Sequence, residues 1–252
     1  MTDPKATETK PTRQILLAEF LDVYLSGLQR IGRGRWWIVG GLVALAAILV
    51  VCVPHDRQIQ EAIAGPKDPQ QHQLARTISF WGDYPTGIAP VALAIWALGV
   101  FLRRRSWRRA MIAVLLAATL AGIGANCLRL TLGRPRPSAN LPDGLYGLQA
   151  KSKFHGFPSG HAATAFGSGG ALAAAVPPLA IPSLALAASV GWSRMELGRH
   201  FLTDILAGSF IGLVFGVAFG GAARCVKHPN EEDPGSPSGE GWDQGDNRSI
   251  DQ

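Results

Sequence analysis

Residues 162–192 read AATAFGSGGALAAAVPPLAIPSLALAASVGW. None of these 31 residues is Asp, Glu, Lys or Arg. One straight helix of that length would run about 46 Å, well beyond the roughly 30 Å hydrocarbon core of a bilayer. Pro177-Pro178 stands in the middle and Pro182 follows. Proline lacks the N–H and clashes with the preceding turn, so helix continuation is blocked there. The stretch therefore predicts a helical hairpin, one arm over about 159–176 and the other over about 179–196. Four more uncharged apolar windows, 36–53, 86–102, 110–128 and 205–223, have the length of membrane-crossing helices. The expectation is an all-α fold, an integral membrane bundle of six transmembrane helices, the last over about 204–223.

The flanks are polar. Residues 1–14 predict disorder. Over 15–31, Leu16, Phe20, Tyr24, Leu28 and Ile31 recur at near-helical spacing. They predict an N-terminal amphipathic helix, which fits a membrane surface and packing on other protein equally well. Trp36 and Trp37 open the first span at the interface. Segments 54–85 and 129–158 read as extramembrane loops, the first with short amphipathic pieces at Ile59–Ile63 and Leu74–Trp81. The tail from 228 is acidic and rich in Gly, Pro and Ser, a composition of solvated chain. The division that follows is a cytoplasmic segment 1–35 with the interfacial helix, a six-span domain 36–224 and a disordered cytoplasmic tail 225–252. Cys52, Cys127 and Cys225 lie in or beside apolar runs and read as small buried hydrophobes, with no disulfide or CxxC metal pattern. The first apolar run follows a polar leader of 35 residues and reads as a retained anchor.

The net charge of +6 comes from basic residues at the ends of apolar runs, which fits a membrane protein and no nucleic-acid partner. Lys and Arg number six before the first span, five in 103–109 and three from Arg224 on, fourteen in all, against three, five and two in 54–85, 129–158 and 193–203, ten in all. The bias is sharpest at the short 103–109 loop. Both termini should be cytoplasmic, with 129–158 and 193–203 on the periplasmic or extracellular face of a multi-pass protein of the inner (plasma) membrane.

Three polar clusters sit at the outward ends of the spans: Arg129 to Pro137, Pro158-Ser159-Gly160-His161, and SRMELGRHFLTD from Ser193 to Asp204. The hairpin is what brings the second and third to one side. Arg129, Arg136 and Arg194 supply planar forks suited to phosphate oxygens. Ser159 as an N-cap, with the Gly160 amide at the start of a helix, makes an anion seat. His200 and Asp204, four apart, would share a helix face, so that the carboxylate orients the imidazole. His200 then reads as the nucleophile and His161 as the group that protonates the leaving oxygen and later activates water. Arg103, Arg199 and Arg224 read as snorkelling anchors. Lys151, Lys153 and His155 read as a solvated loop.

These clusters resemble the three-part signature of the type 2 phosphatidic acid phosphatase family, shared with vanadium haloperoxidases: K-x6-R-P, P-S-G-H and S-R-x5-H-x3-D. The second and third match at every fixed position. The first matches as Arg129-x6-Arg136-Pro137, with arginine for the usual lysine; Arg134 belongs to the R-P-R-P variant and is not the signature arginine. The resemblance implies six transmembrane helices, a covalent phosphohistidine on His200, and phosphate held by the arginines with Ser159 and Gly160. It implies no required metal or other cofactor. The implied partner is a phosphorylated membrane lipid, and the implied activity is that of a lipid phosphatase acting on a monoester or pyrophosphate. Undecaprenyl-pyrophosphate phosphatase and lipid A phosphatase are both open within the family. A vanadium haloperoxidase or a non-catalytic lipid-binding or transport protein are the alternatives from other classes.

Overall fold

The computed structural model describes residues 12–64 and 68–224. Within them the chain forms α1 (Thr12–Arg33), α2 (Arg35–Cys52), α3 (Asp56–Ala64), α4 (Pro69–Trp81), α5 (Ala89–Phe101), α6 (Arg105–Leu132), α7 (Gly160–Ala175), α8 (Ala180–Glu196) and α9 (Leu202–Arg224). A π turn, Tyr84–Ile88, leads into α5. The fold is all-α. The segments Arg35–Ala64, Tyr84–Phe101, Arg105–Ala139 and Leu202–Arg224 are long and apolar enough to cross a membrane. The arms of the expected hairpin, α7 and α8, are shorter, with 16 and 17 residues, or about 24–26 Å of helix.

The hairpin lies where the proline pair predicts it. A 3-10 turn, Pro177–Leu179, joins α7 to α8, and the Ser183 hydroxyl donates to the Gly169 carbonyl across the pair at 3.1 Å. Against α7 also lies α9, and the sequence explains how closely. Gly208, Gly212, Gly216 and Gly220 recur every four residues on one face of α9. A Cβ on them would fall 2.4 Å from the Ser159 carbonyl oxygen, 2.5 Å from that of Ala163, 2.8 Å from that of Gly167 and 2.2 Å from that of Ala171. Only hydrogen fits there, so the two backbones touch, as in small-residue packing of membrane helices. On α6, Ala113, Ala117, Ala121 and Ala125 are fully buried at helical spacing and form the third side of this core.

Outside the core, α2 presents an apolar surface. No residue of α2 is buried, and Trp36 and Trp37 are 72% and 88% exposed, a surface suited to lipid. Cys127 is likewise exposed and Cys52 half-buried, so the expectation of buried cysteines fails for these two because their helices turn those faces outward. Cys225 lies outside the described residues.

Helix α1 begins at Thr12, so 12–14 are helical where disorder is the sequence expectation; residues 1–11 and the tail 225–252 lie outside the described residues. The face of α1 that meets the protein is Glu19, Val23 and Gly27. A Cβ on Gly27 would lie 2.3 Å from Phe219 of α9. Glu19 accepts from Arg108 Nε and Nη2 at 2.9 and 2.6 Å, and Asp22 accepts from Arg109 at 2.7 Å. Arg109 also donates to the carbonyls of Ala222 and Ala223 at the end of α9. The packing reading of α1 thus holds for this stripe, while Phe20 and Leu28 remain exposed. Two arginines of the 103–109 cluster are structural ties in addition to their charge.

The 54–85 segment is largely helical, as α3 and α4, in place of loop. Both helices pack on α8, which places them over the end of the bundle where the motifs gather.

Gly212→Val should weaken the α7–α9 contact, because the added carbons overlap backbone that cannot retreat. We expect a loss of about 1–3 kcal/mol of stability, read as a lower thermal midpoint in detergent; an unchanged midpoint would contradict the packing described here.

Candidate active site

The site forms where α6 ends and where α7 and α9 begin. Gly133 closes α6 in the left-handed conformation, φ 63°, and a Cβ there would lie 2.1 Å from the Gly147 carbonyl oxygen. The chain then runs Arg134-Pro135-Arg136-Pro137, pinned by Arg136 N donating to Lys153 O at 2.9 Å. Arg129 stays on the last turn of α6, and its Nη1 lies 3.2 Å from where a Cβ on Gly160 would be. Glycine at 160 therefore lets the guanidinium reach the first turn of α7. Ser159 caps that helix, its Oγ accepting from Ala162 N at 3.4 Å. Its own N–H donates to the Asp204 carbonyl at 3.0 Å, tying the starts of α7 and α9 together.

The three expected clusters are brought to one place. His161 lies within electrostatic reach of Arg194, His200, Arg129 and Arg136. A cavity of about 280 Å³ beside them is lined by Asp83, Asn126, Arg129, Gly160 and His161 among others. Arg194, near the end of α8, donates to Ser79 of α4 at 2.6 Å. Arg129, Arg136 and Arg194 each keep a buried Nε–H with no acceptor, and none of the three has an ion-pair partner among the described residues.

One expectation needs correction. His200 and Asp204 do not share a helix face. The chain from Leu197 to Phe201 is a turn, and α9 starts only at Leu202. His200 Nδ1 meets the Gly156 carbonyl at 2.7 Å, whereas Asp204 Oδ2 is 3.7 Å away. A carbonyl only accepts, so Nδ1 carries the proton and Nε2 of the neutral ring is left bare. Asp204 instead caps its own helix, Oδ2 accepting from Phe201 N at 2.7 Å, as an acid at the third helical position does. It acts on His200 as a nearby charge and by fixing the turn.

Three further residues, Arg134, Asp56 and Asp83, hold this end of the bundle, and the sequence assigns none of them a place in the site. Arg134 is buried, and its Nη1 donates to Asp204 Oδ1 at 2.6 Å and to Thr203 Oγ1 at 2.7 Å. Asp56, the first residue of α3, is buried and accepts from Arg134 Nη2 at 2.8 Å and from Thr203 N at 3.1 Å. Asp83 Oδ1 stands 3.2 Å from His161 Nε2. A pairing between 54–85 and the motifs leaves no periodic trace, although the R-P-R-P run did mark Arg134. Arg199 is exposed, and His155 bonds the Gln149 carbonyl at 3.0 Å, a structural role.

Burial pushes the His200 pKa below its ordinary 6.5, opposed by Asp204 and assisted by Arg194 and Arg136. Burial likewise lowers that of Arg136, with the charges of Arg199 and Arg129 adding to it. For Arg134 burial works the same way, but Asp204 and Asp56 outweigh it and the value is raised. A depressed folded pKa means that His200 stays neutral as pH falls past 6.5 and charges only below that. Histidine spectra of the labelled protein should show a neutral, Nδ1-protonated ring that charges only at a lower pH than a free imidazole; charging at or above the ordinary 6.5, or a proton on Nε2, would refute this geometry.

Residues 110–223 match the sequence profile of the PAP2 superfamily. The lipid A 1-phosphatase of Rhizobium johnstonii is 32% identical over 102 residues, 39% of this chain and 40% of that protein, so the match spans about two fifths of that relative. Among solved structures, the PAP2-type phosphatidylglycerolphosphate phosphatase of Bacillus subtilis aligns with a TM-score of 0.55 at 24% identity, over 71% of this chain and 90% of that one. Aquifex aeolicus LpxE aligns with a TM-score of 0.51 at 19% identity, over 65% and 93%. These two likenesses concern the fold, a multi-pass transmembrane one. Through residues 110–223 the chain is similar to the PAP2 superfamily.

Proposed function

We propose that the protein is a membrane lipid phosphatase that hydrolyses a phosphomonoester or pyrophosphate of a lipid through a phosphohistidine on His200. The observation that carries this reading is the set of buried, unpartnered Nε–H groups of Arg129, Arg136 and Arg194 gathered beside two histidines. Buried donors in native proteins have acceptors, and three neighbouring guanidinium forks with no ion-pair partner among the described residues call for an anion with several oxygens, as phosphate is. The capped first turn of α7, at Ser159 and Gly160, adds backbone amides and the positive end of a helix to the same seat.

The chemistry follows from the arrangement. The bare Nε2 of His200 attacks phosphorus in line with the leaving lipid oxygen. The arginines meet the charge that spreads over the phosphoryl oxygens, usually the largest catalytic contribution. His161, with Asp83 at its Nε2, gives the leaving oxygen a proton. It then takes one from the water that cleaves the phosphohistidine and frees inorganic phosphate.

A lipid substrate is supported by a second cavity of about 500 Å³, lined by apolar side chains including Ile78, Val91, Met111, Leu172 and Val190. Gly82 and Gly87, which flank the Asp83 segment, belong to its wall, so an acyl chain there lies next to the phosphate seat. The six-span topology, with α7 and α8 as short spans, both termini cytoplasmic and the site on the outer face, is part of this proposal. It rests on the hairpin and on the arginines of 103–109. Among candidate lipids, lipid A 1-phosphate is favoured by the Rhizobium relative. The exposed apolar surface of α2 speaks against a soluble haloperoxidase, and a pure binding protein has no use for the two histidines.

Phosphate release from phosphatidic acid, phosphatidylglycerophosphate, undecaprenyl pyrophosphate and lipid A by the purified protein tests the reading. His200→Ala should reduce release to background and His161→Ala by about 10²–10⁴-fold, with both variants folded. Chelators should leave release unchanged and vanadate should inhibit. Full activity of folded His200→Ala would overturn the assignment, as would chelator inactivation reversed by Mg²⁺.

A further inference from the structure

Asp56 lies far outside the superfamily match at 110–223, in the first residue of a helix that only the end of α2 delivers to the site. It is 3% exposed, and every bond its carboxylate makes runs to the catalytic end of the bundle. Oδ1 accepts from Thr203 N at 3.1 Å. Oδ2 accepts from Arg134 Nη2 at 2.8 Å and from the Thr203 hydroxyl in a short bond. Thr203 belongs to the first turn of α9, where amides lack partners within the helix. Asp56 thus satisfies one such amide from across the structure.

Arg134 passes this restraint on by two routes. Its guanidinium holds Asp204 Oδ1 and Thr203 Oγ1 and covers the Phe201 ring at 4.7 Å, which clamps the residues that follow His200. Its main-chain carbonyl accepts from Gly156 N at 2.9 Å, and the Gly156 carbonyl accepts from His200 Nδ1 at 2.7 Å. One arginine therefore fixes both the turn that carries His200 and the carbonyl that sets the tautomer of its ring. Asp56 fixes the arginine.

We propose that Asp56 is a positioning residue for His200, acting through Arg134, so that a segment outside the superfamily match sets the aim of the nucleophile. The proposal rests on the functional reading given above for its kinetic consequence, though not for its structural one. Asp56 touches no reacting atom. Substrate contacts are made by the arginines, Ser159 and Gly160, so the defect on its removal belongs in turnover and not in binding.

The test compares purified Asp56→Asn, Asp56→Glu, Arg134→Ala and the Asp56→Asn/Arg134→Ala double variant. It measures steady-state kinetics on the best lipid of the panel and hydrogen exchange of the peptide covering 197–204. For folded Asp56→Asn we expect kcat to fall at least about tenfold with KM within about twofold, faster exchange in 197–204, and unchanged exchange in the α7–α9 core. Asp56→Glu should recover part of the loss. The double variant should lose clearly less than the product of the two single losses, the signature of two residues acting on one turn. Unchanged kcat and exchange in folded Asp56→Asn would overturn the proposal, as would additive losses in the double variant. Unfolding of both Asp56 variants would also overturn it, making the residue a structural anchor. If the parent protein releases phosphate from no lipid, the functional reading fails, and exchange at 197–204 still decides whether Asp56 holds the turn.

Discussion

The closeness of α7 and α9 is the constraint on which the site depends. Glycine at 208, 212, 216 and 220 brings the α9 backbone against that of α7. That approach sets the starts of the two helices side by side, joined by the Ser159 N–H and the Asp204 carbonyl. The capped first turn of α7 at Ser159-Gly160 and the turn bearing His200 are then neighbours by construction. With side chains in that stripe the helices would stand further apart, and the two motifs would face each other across a gap.

Around this contact the charges are sorted. Arg134 is neutralised by Asp56 and Asp204 and has become part of the frame. Among the described residues Arg129, Arg136 and Arg194 have no such partner, and each keeps an Nε–H without an acceptor. Buried charges are costly unless compensated, and that cost is what supports the proposed role of these arginines in holding an anion. The same sorting recurs at the opposite end of α6, where Arg108 and Arg109 are paired with Glu19 and Asp22 and fasten α1, Arg109 also holding the end of α9.

Much of the fold was legible because it is written in simple terms. Charge-free runs mark the apolar helices, and the proline pair at 177–178 marks the hairpin turn within a residue or two. The motif spacing announced which residues would meet. What escaped the sequence depended on long-range geometry. The histidine–aspartate spacing looked helical, but the chain unwinds from Leu197 to Phe201 and hands Nδ1 to the Gly156 carbonyl. Asp56 and Asp83 sit in a stretch that reads as polar connection. Their roles arise only when α3 and α4 fold back onto α8, a packing with no signature in local composition. Arg134 was visible in the R-P-R-P run, but spacing alone does not say which arginine turns inward to carboxylates and which is left for the ligand.

The proposed hydrolysis requires a covalent step at one nitrogen of His200, and trapping that adduct tests it most directly. The purified protein would be mixed with a lipid labelled in its phosphate and quenched in alkali, where phosphohistidine survives. Peptide mapping should place the label on His200, in the 197–204 segment, and the same treatment of His200→Ala should leave no label. Phosphate release at full rate with that segment never labelled, or a label settled on another residue, would contradict the account.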